Sequence, residues 1–298
     1  MNHWIAAARP RTLPLALASI IMGGFLAAAN HKFSWPVGIL SVVTTILLQV
    51  LSNFANDYGD TVNGKDTDIR QGPSRAVQRG DITPARMKSA IVLFSALSLI
   101  AGLSLLFVAL RDAPIQTFWG FLGLGVLCIV AAITYTAGKK PYGYAGLGDL
   151  SVFIFFGWVG VLGSSYLHTL EWNWANLLPA TTCGLFSVAV LNINNIRDIE
   201  SDRATGKNSI PVRIGREKAV VYHWLILGTG MLLVLAYGLW FRDGSNWKFL
   251  FLLSFPFVVK NGLAVSRVHS PKELDPYLKQ MALSTLLFVL LFGAGFLI

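Results

Sequence analysis

The sequence predicts an all-α polytopic membrane protein, with about nine transmembrane helices around a central cavity. Three observations carry that prediction. Only 13% of the 298 residues are charged and the mean hydropathy is +0.58, whereas a soluble protein of this size carries about 25% charged residues. Apolar runs of roughly 20 residues recur along the whole length, the length that crosses ~30 Å of hydrocarbon as helix. The segments between those runs alternate sharply in basic charge, as the loops on the two sides of a membrane do.

Breaks at proline, glycine and charge clusters place the spans at 13–29, 36–55, 87–109, 115–137, 149–168, 174–194, 219–240, 247–266 and 278–297. The first follows Arg9 and Arg11, contains Pro14 and a Gly23-Gly24 pair, and ends in LAAAN. Those flanks look like a signal peptide, but the apolar run is long for one, and the segment is expected to stay as a span. The second span runs into an acidic stretch, and the third opens beside Arg86 and Lys88. The fourth stops before Lys139 and Lys140, and the fifth opens at Asp149 and carries Gly157, Gly160 and Gly163, which suit close helix packing. The sixth ends in a second acidic stretch, Arg213, Arg216 and Lys218 precede the seventh, and Arg267 and Lys272 separate the last two. With the N-terminus in the cytoplasm, only Lys32, Arg111, Arg242 and Lys248 of the 24 basic residues fall outside. The positive-inside rule therefore predicts N-in and C-out. That topology accounts for the net charge of +9 without nucleic-acid binding.

Several chemistries are set aside here. Cys128 and Cys183 lie within apolar spans without metal-ligand spacing, so packing is their expected role. The five histidines are scattered, and the chain contains no HExxH, GxSxG or Walker A motif. GYAGLGD at 143–149 has no strand before it to make a dinucleotide fingerprint.

The acidic residues point elsewhere. Of 15 carboxylates, Asp57, Asp60, Asp66 and Asp68 fall in NFANDYGDTVNGKDTD, directly after the second apolar run. INNIRDIESDRATGKN repeats the pattern 142 residues later: Asn53 aligns with Asn195, Asn56 with Asp198, Asp60 with Asp202, Gly64 with Gly206 and Lys65 with Lys207. Four spans separate the copies, so both point the same way, and one domain (1–298) with parallel halves of about 1–145 and 146–298 is expected. On a helix, Asn53, Asn56, Asp57 and Asp60 share one side, and Asp198 and Asp202 do the same, with Asn194 and Asn195 one turn before. Acids are costly near hydrocarbon, about 2.5–3.5 kcal/mol each at a helix centre. Two facing clusters also repel unless a cation lies between them. Hard oxygen ligands with few dedicated partners suit Mg²⁺ shared with substrate phosphates. Lys65, Arg70, Arg75, Arg197 and Lys207 suit the polyanion. A diphosphate site at the cytoplasmic mouth of a helical cavity is the expectation.

At these residues the chain resembles the UbiA superfamily of intramembrane aromatic prenyltransferases, which pairs an N-D-x-x-D-type motif after the second span with D-x-x-x-D after the sixth. Here they are NDYGD (56–60) and DIESD (198–202). RPRTLPLALASIIMGG, LQVLSNFANDYGD, AAITYTAGKKPYGYAGLGDLSVFIFFGW and AVLNINNIRDIESDRATGKN are similar to the bacterial branch that prenylates 1,4-dihydroxy-2-naphthoate in menaquinone synthesis. The superfamily often carries a third aspartate where Gly64 stands; the next carboxylate is Asp66.

The resemblance implies Mg²⁺ held by Asn56, Asp60, Asp198 and Asp202, with Asp57 and Asp66 close by, clamping the diphosphate of a polyprenyl donor. It implies that Lys65, Arg70, Arg75 and Lys207 neutralise the departing diphosphate, and that Asn53, Asn192 and Asn195 complete the substrate-binding set. Lys139 or Lys140 would pair with the naphthoate carboxylate, and Asp149 would face the cavity from the start of the fifth span. A groove of Phe, Leu and Val opening to lipid would hold the tail. Tyr135, Tyr142 and Tyr144 are expected as an interfacial belt. The implied setting is the bacterial cytoplasmic membrane, with the site facing the cytoplasm. Other aromatic acceptors, such as 4-hydroxybenzoate or homogentisate, stay open. A transporter is the rival of another class, but its acids would sit at the midplane. A CDP-alcohol phosphotransferase would show D-G-x-x-A-R, which is missing.

Overall fold

A computed structural model describes residues 3–66, 72–240 and 245–298. Among these residues there is no strand, and nine helical segments are long and apolar enough to span a bilayer. They are α1 (His3–Ala29), α2 (Trp35–Val62), α3 (Pro84–Ala109), α4 (Ile115–Thr134), α5 (Gly148–Thr169), α6 (Trp174–Arg197), α7 (Arg216–Trp240), α8 (Asn246–Arg267) and α9 (Pro271–Leu297). Every predicted span is present.

The differences from the predicted boundaries have local causes. A short helix, His3–Ala8, precedes the first predicted span, and left-handed Arg9 (φ 49°) turns the chain before Pro10 starts the next segment. Its Trp4 packs edge-on against Phe54, with ring centroids 5.6 Å apart. α2 continues seven residues past its predicted end at 55, to Val62, so the first acidic motif is helical throughout. α6 instead breaks at Asp198 (φ −98°, ψ 11°), and the second motif resumes as a short helix, Ile199–Ala204.

The repeated Gly-Lys pairs end both motifs in the same turn. Gly64 (φ 65°) and Gly206 (φ 73°) are left-handed. The Lys65 N–H donates to the Asp60 carbonyl at 2.7 Å, and the Lys207 N–H to the Asp202 carbonyl at 2.8 Å. Gly64 and Gly206 in turn donate to the carbonyls of Thr61 and Arg203. These are Schellman caps, which need a residue free of Cβ at the left-handed position. The shared spacing of Asp, Gly and Lys is thus also a helix-ending device.

α6 is the most interior span, packed on α5, α7 and α9. At the α5–α6 crossing a Cβ on Gly157 would come within 2.8 Å of the Ala180 carbonyl and 2.9 Å of Gly184 Cα, so the backbones touch there. Phe186, Phe251, Phe288 and Phe292 fill the core beyond it. On the other side α2 packs on α3, and α4 leans on both while scarcely touching α5. α1 joins the two groups through α2, α5 and α9. Between α1, α2, α3, α4 and α5 lies a cavity of ≈ 400 Å³. It runs from Asn56 and Tyr135 at the charged end to Ser41, Leu106 and Leu167 near the other, roughly 22 Å along α2.

Candidate active site

Four segments meet over the charged end of the cavity: the end of α2, the loop before α3, the loop from α4 to α5, and the turn after α6. Asp60 is their meeting point. It is 2% exposed, and its Oδ2 pairs with Arg75 Nη1. Its Oδ1 accepts a hydrogen bond from the Tyr144 hydroxyl at 2.6 Å and lies 3.2 Å from Lys207 Nζ. Arg75 Nε also lies 3.4 Å from Asp66 Oδ1, and Lys207 Nζ lies 3.9 Å from Asp202 Oδ1. Thr61 Oγ1 donates to the other Asp66 oxygen at 2.9 Å.

Burial opposes the charge of Arg75, but Asp60 and Asp66 outweigh it and hold the guanidinium above its ordinary range. Burial raises the Tyr144 phenol well above its usual value, and the neighbouring Asp60 raises it further. Tyr144 therefore stays a proton donor to Asp60.

Two positions for positive charge thus flank Asp60. Arg75 lies between Asp60 and Asp66, and Lys207 between Asp60 and Asp202. Each sets two carboxylates around one cation, the hard-oxygen donor set that Mg²⁺ takes. The residues fit a divalent metal. Among the described residues no three carboxylate, histidine or cysteine side chains already converge on one point.

Other predicted residues have different partners. Asp57 accepts from the backbone amides of Ala76 and Val77 at 3.1 and 3.0 Å, so it folds the loop that delivers Arg75. Arg197 grips both oxygens of Asp198, at 2.9 and 2.7 Å, and reaches Asp275 at 2.6 Å and Asn194 Oδ1 at 2.8 Å. Arg11 joins the same Asp275 at 3.4 Å. Asp149 is buried and accepts from the Tyr222 hydroxyl at 2.9 Å, so its carboxylate turns to α7 and, against expectation, is not among the residues that line the cavity. Asn53 lines the cavity and donates to the Ala8 carbonyl at 2.8 Å, tying α2 to α1. Asn56 also lines it, accepting from Thr136 Oγ1 at 3.0 Å. Asn195 is buried. Asn192 points its amide to the Ala219 carbonyl at 3.1 Å, between α6 and α7 and away from the cavity. Lys65 donates to the Thr205 carbonyl, linking the two motifs. Lys139 and Lys140 are exposed on their loop. Arg70 lies outside the described residues.

The tyrosines differ most from expectation. Tyr135 and Tyr142 line the cavity and Tyr144 binds Asp60, contacts with the interior that the belt reading did not anticipate. A signal was present: Tyr142 and Tyr144 sit between the fourth and fifth spans, just before Asp149, and Tyr135 lies near the end of the fourth span. Thr136 and Tyr222, which hold Asn56 and Asp149, were not singled out by the sequence.

Among the described residues, nine helices long and apolar enough to span a bilayer enclose an apolar cavity, with the two aspartate motifs beyond one end of it, the architecture of an intramembrane enzyme. The chain belongs to the UbiA prenyltransferase family, whose sequence profile matches residues 16–286. It is 48% identical to the 1,4-dihydroxy-2-naphthoate octaprenyltransferase of Escherichia coli, over 98% of this chain and 94% of that protein. It is 46% identical to the protein of the same name from Haemophilus influenzae, over 100% of this chain and 96% of the other. Among solved structures, the apo UbiA homolog from Aeropyrum pernix K1 superposes with a TM-score of 0.68 at 18% identity, covering 96% of this chain and 97% of that one. The Archaeoglobus fulgidus UbiA homolog bound to GPP and Mg²⁺ gives 0.64 at 15% identity, covering 97% and 99%. These likenesses establish the shared fold.

Proposed function

We propose that this protein transfers a polyprenyl group from a polyprenyl diphosphate to 1,4-dihydroxy-2-naphthoate, releasing diphosphate and CO₂ and giving a demethylmenaquinol. The observation that carries the reading is the pair of carboxylate-flanked cation positions around Asp60, set at the mouth of an apolar cavity. The naphthoate acceptor is supported by the names of the relatives at 46% and 48% identity. Mg²⁺, when bound by Asp60, Asp66 and Asp202, would supply positive charge where the leaving oxygen becomes an anion.

The chain's own residues do the rest. Arg75, Lys65 and Lys207 pair with diphosphate oxygens and stabilise the charge that grows as the C–O bond breaks, usually the largest contribution to such catalysis. Asp57 and Asp198 act through the loop and the arginine they hold. The tail lies along Leu103, Leu106, Phe121 and Phe155 in the cavity, away from water. The allylic carbon, short of electrons, is attacked by the electron-rich ring. Loss of CO₂ from the attacked carbon restores aromaticity, so no strong carbon base is required. Asp149, its carboxylate held by Tyr222, takes a ring hydroxyl proton as the ring attacks and returns it as CO₂ leaves.

The two motifs reflect parallel halves of about 1–145 and 146–298. The charged end faces the cytoplasm of a bacterial cell, because the basic loops lie on that side. A panel of aromatic acceptors offered to purified protein with one prenyl diphosphate, scored by product mass, tests the assignment. A prenylated naphthoquinol is expected. Product from 4-hydroxybenzoate alone would reassign the acceptor and keep the chemistry.

A further inference from the structure

The loop from α4 to α5 does more than cover the cavity. Its backbone is fixed to the second motif's loop: the Asn208 N–H donates to the Tyr144 carbonyl at 2.9 Å, and Arg213 Nη2 to the Ala145 carbonyl at 2.6 Å. Arg213 Nε also donates to the Asn208 carbonyl at 2.9 Å. The Tyr144 side chain reaches the other way, to Asp60 on the first motif at 2.6 Å. Its ring lies under two ammonium groups, Lys65 Nζ at 5.3 Å and Lys207 Nζ at 5.2 Å from the centroid. Both distances fall inside the ~6 Å range of a cation–π contact. These lysines are the pair matched in the sequence repeat, one from each motif.

We propose that Tyr144 is the positioning residue of the diphosphate site, orienting Asp60 through its hydroxyl and gathering Lys65 and Lys207 onto its ring. Two ammonium groups drawn together repel, and a free lysine samples many rotamers. An aromatic ring against both, a carboxylate beside Lys207 and a carbonyl beside Lys65 offset the repulsion and fix the charges before the ligand arrives. That removes an ordering cost from binding. The hydroxyl acts on Asp60 as an outer partner acts on a metal-binding carboxylate, setting its direction and leaving the other oxygen for a cation. Tyr144 touches no reacting atom; it acts through three residues that do. The inference rests on the prenyl diphosphate reading and adds that one aromatic residue of the middle loop sets both the anion affinity and the metal requirement.

The test uses the purified full-length protein and farnesyl thiodiphosphate, a non-reacting prenyl diphosphate analogue, with binding measured by calorimetry across a Mg²⁺ series. Tyr144→Leu removes both ring and hydroxyl and should weaken analogue binding roughly tenfold or more. Tyr144→Phe keeps the ring. It should restore binding to within about threefold of wild type at saturating Mg²⁺, while needing roughly tenfold more Mg²⁺ to reach it. In turnover, Tyr144→Leu should raise KM for the prenyl diphosphate more than it lowers kcat, a split that simple loss of folded protein would not give. Wild-type affinity in Tyr144→Leu overturns the proposal, as does a Tyr144→Phe variant as weak as Tyr144→Leu. If Tyr144→Leu does not fold, Tyr144→Phe decides alone, since it removes one oxygen: an unshifted Mg²⁺ requirement overturns the proposal. A wild-type protein that binds no analogue sinks the diphosphate reading itself.

Discussion

Replacing Asp60 with Asn should cost both turnover and stability, and the structure allows the two losses to be separated. Asp60 is 2% exposed and partners Arg75, Lys207 and Tyr144. Neutralising it leaves the Arg75 guanidinium, 8% exposed, with Asp66 at 3.4 Å in place of a two-sided clamp. Breaking a buried ion pair from one side costs about 3–5 kcal/mol, and the retained Asp66 puts this case near about 3. Turnover should fall ~10²–10³-fold, the usual cost of losing one well-placed electrostatic stabiliser. Asp202→Asn should lose similar turnover, since its carboxylate flanks the same Lys207 position at 3.9 Å. The double variant Asp60→Asn, Arg75→Met removes the stranded guanidinium but takes the arginine away from the buried Asp66 side chain. It should regain only part of the stability and none of the rate. Glu200 is the control: it is exposed and faces Arg203 at 3.3 Å, so Glu200→Gln should behave as wild type. Initial rates of prenyl transfer across Mg²⁺ concentrations and unfolding midpoints in detergent read both quantities. Equal, mild losses in Asp60→Asn, Asp202→Asn and Glu200→Gln would refute the reasoning, because the carboxylates would then act only as loop charge.

Three more expectations follow from the proposed site. In a cysteine-free background, Asn63→Cys and Thr205→Cys should resist an impermeant thiol reagent applied to intact cells; efficient labelling would reverse the orientation. A ¹³C label in the carboxylate of 1,4-dihydroxy-2-naphthoate should leave as CO₂, and its retention in product would rule out the decarboxylative route. Gly125 lines the cavity, and a Cβ there would have no atom within 4 Å. Gly125→Trp should therefore fold and fill tail space, depressing use of long prenyl diphosphates more than short ones; equal effects would move the tail elsewhere.

The spans were legible because hydrocarbon imposes length and composition on a helix, and the described structure differs from the predicted boundaries mainly at turns. Arg9 adopts a left-handed turn that no hydropathy pattern marks, and α2 runs on through polar residues because its last turns are buried under the loop carrying Arg75. The aspartate repeat led to Asp60, Asp202, Lys65 and Lys207, and the structure brings all four together around Tyr144, one helical turn beyond the cavity-lining Asn56. Helical spacing alone could not tell which carboxylates remain available to a cation. That depends on tertiary partners: Asp57 is taken by two backbone amides and Asp198 by a neighbouring arginine. Tyr144 was hidden for a related reason. Tyrosines near a membrane surface are common, and only its bond to Asp60 and the lysines over its ring distinguish it.

The central claim is metal-dependent prenyl transfer at the Asp60 site, and one measurement tests it most directly. Purified protein is incubated with a radiolabelled polyprenyl diphosphate and 1,4-dihydroxy-2-naphthoate, with Mg²⁺ or with EDTA, and label is counted in the naphthoquinol product. The account predicts product with Mg²⁺, background with EDTA, and background with Asp60→Asn at either condition. Equal incorporation in EDTA, or wild-type incorporation by Asp60→Asn, would contradict it.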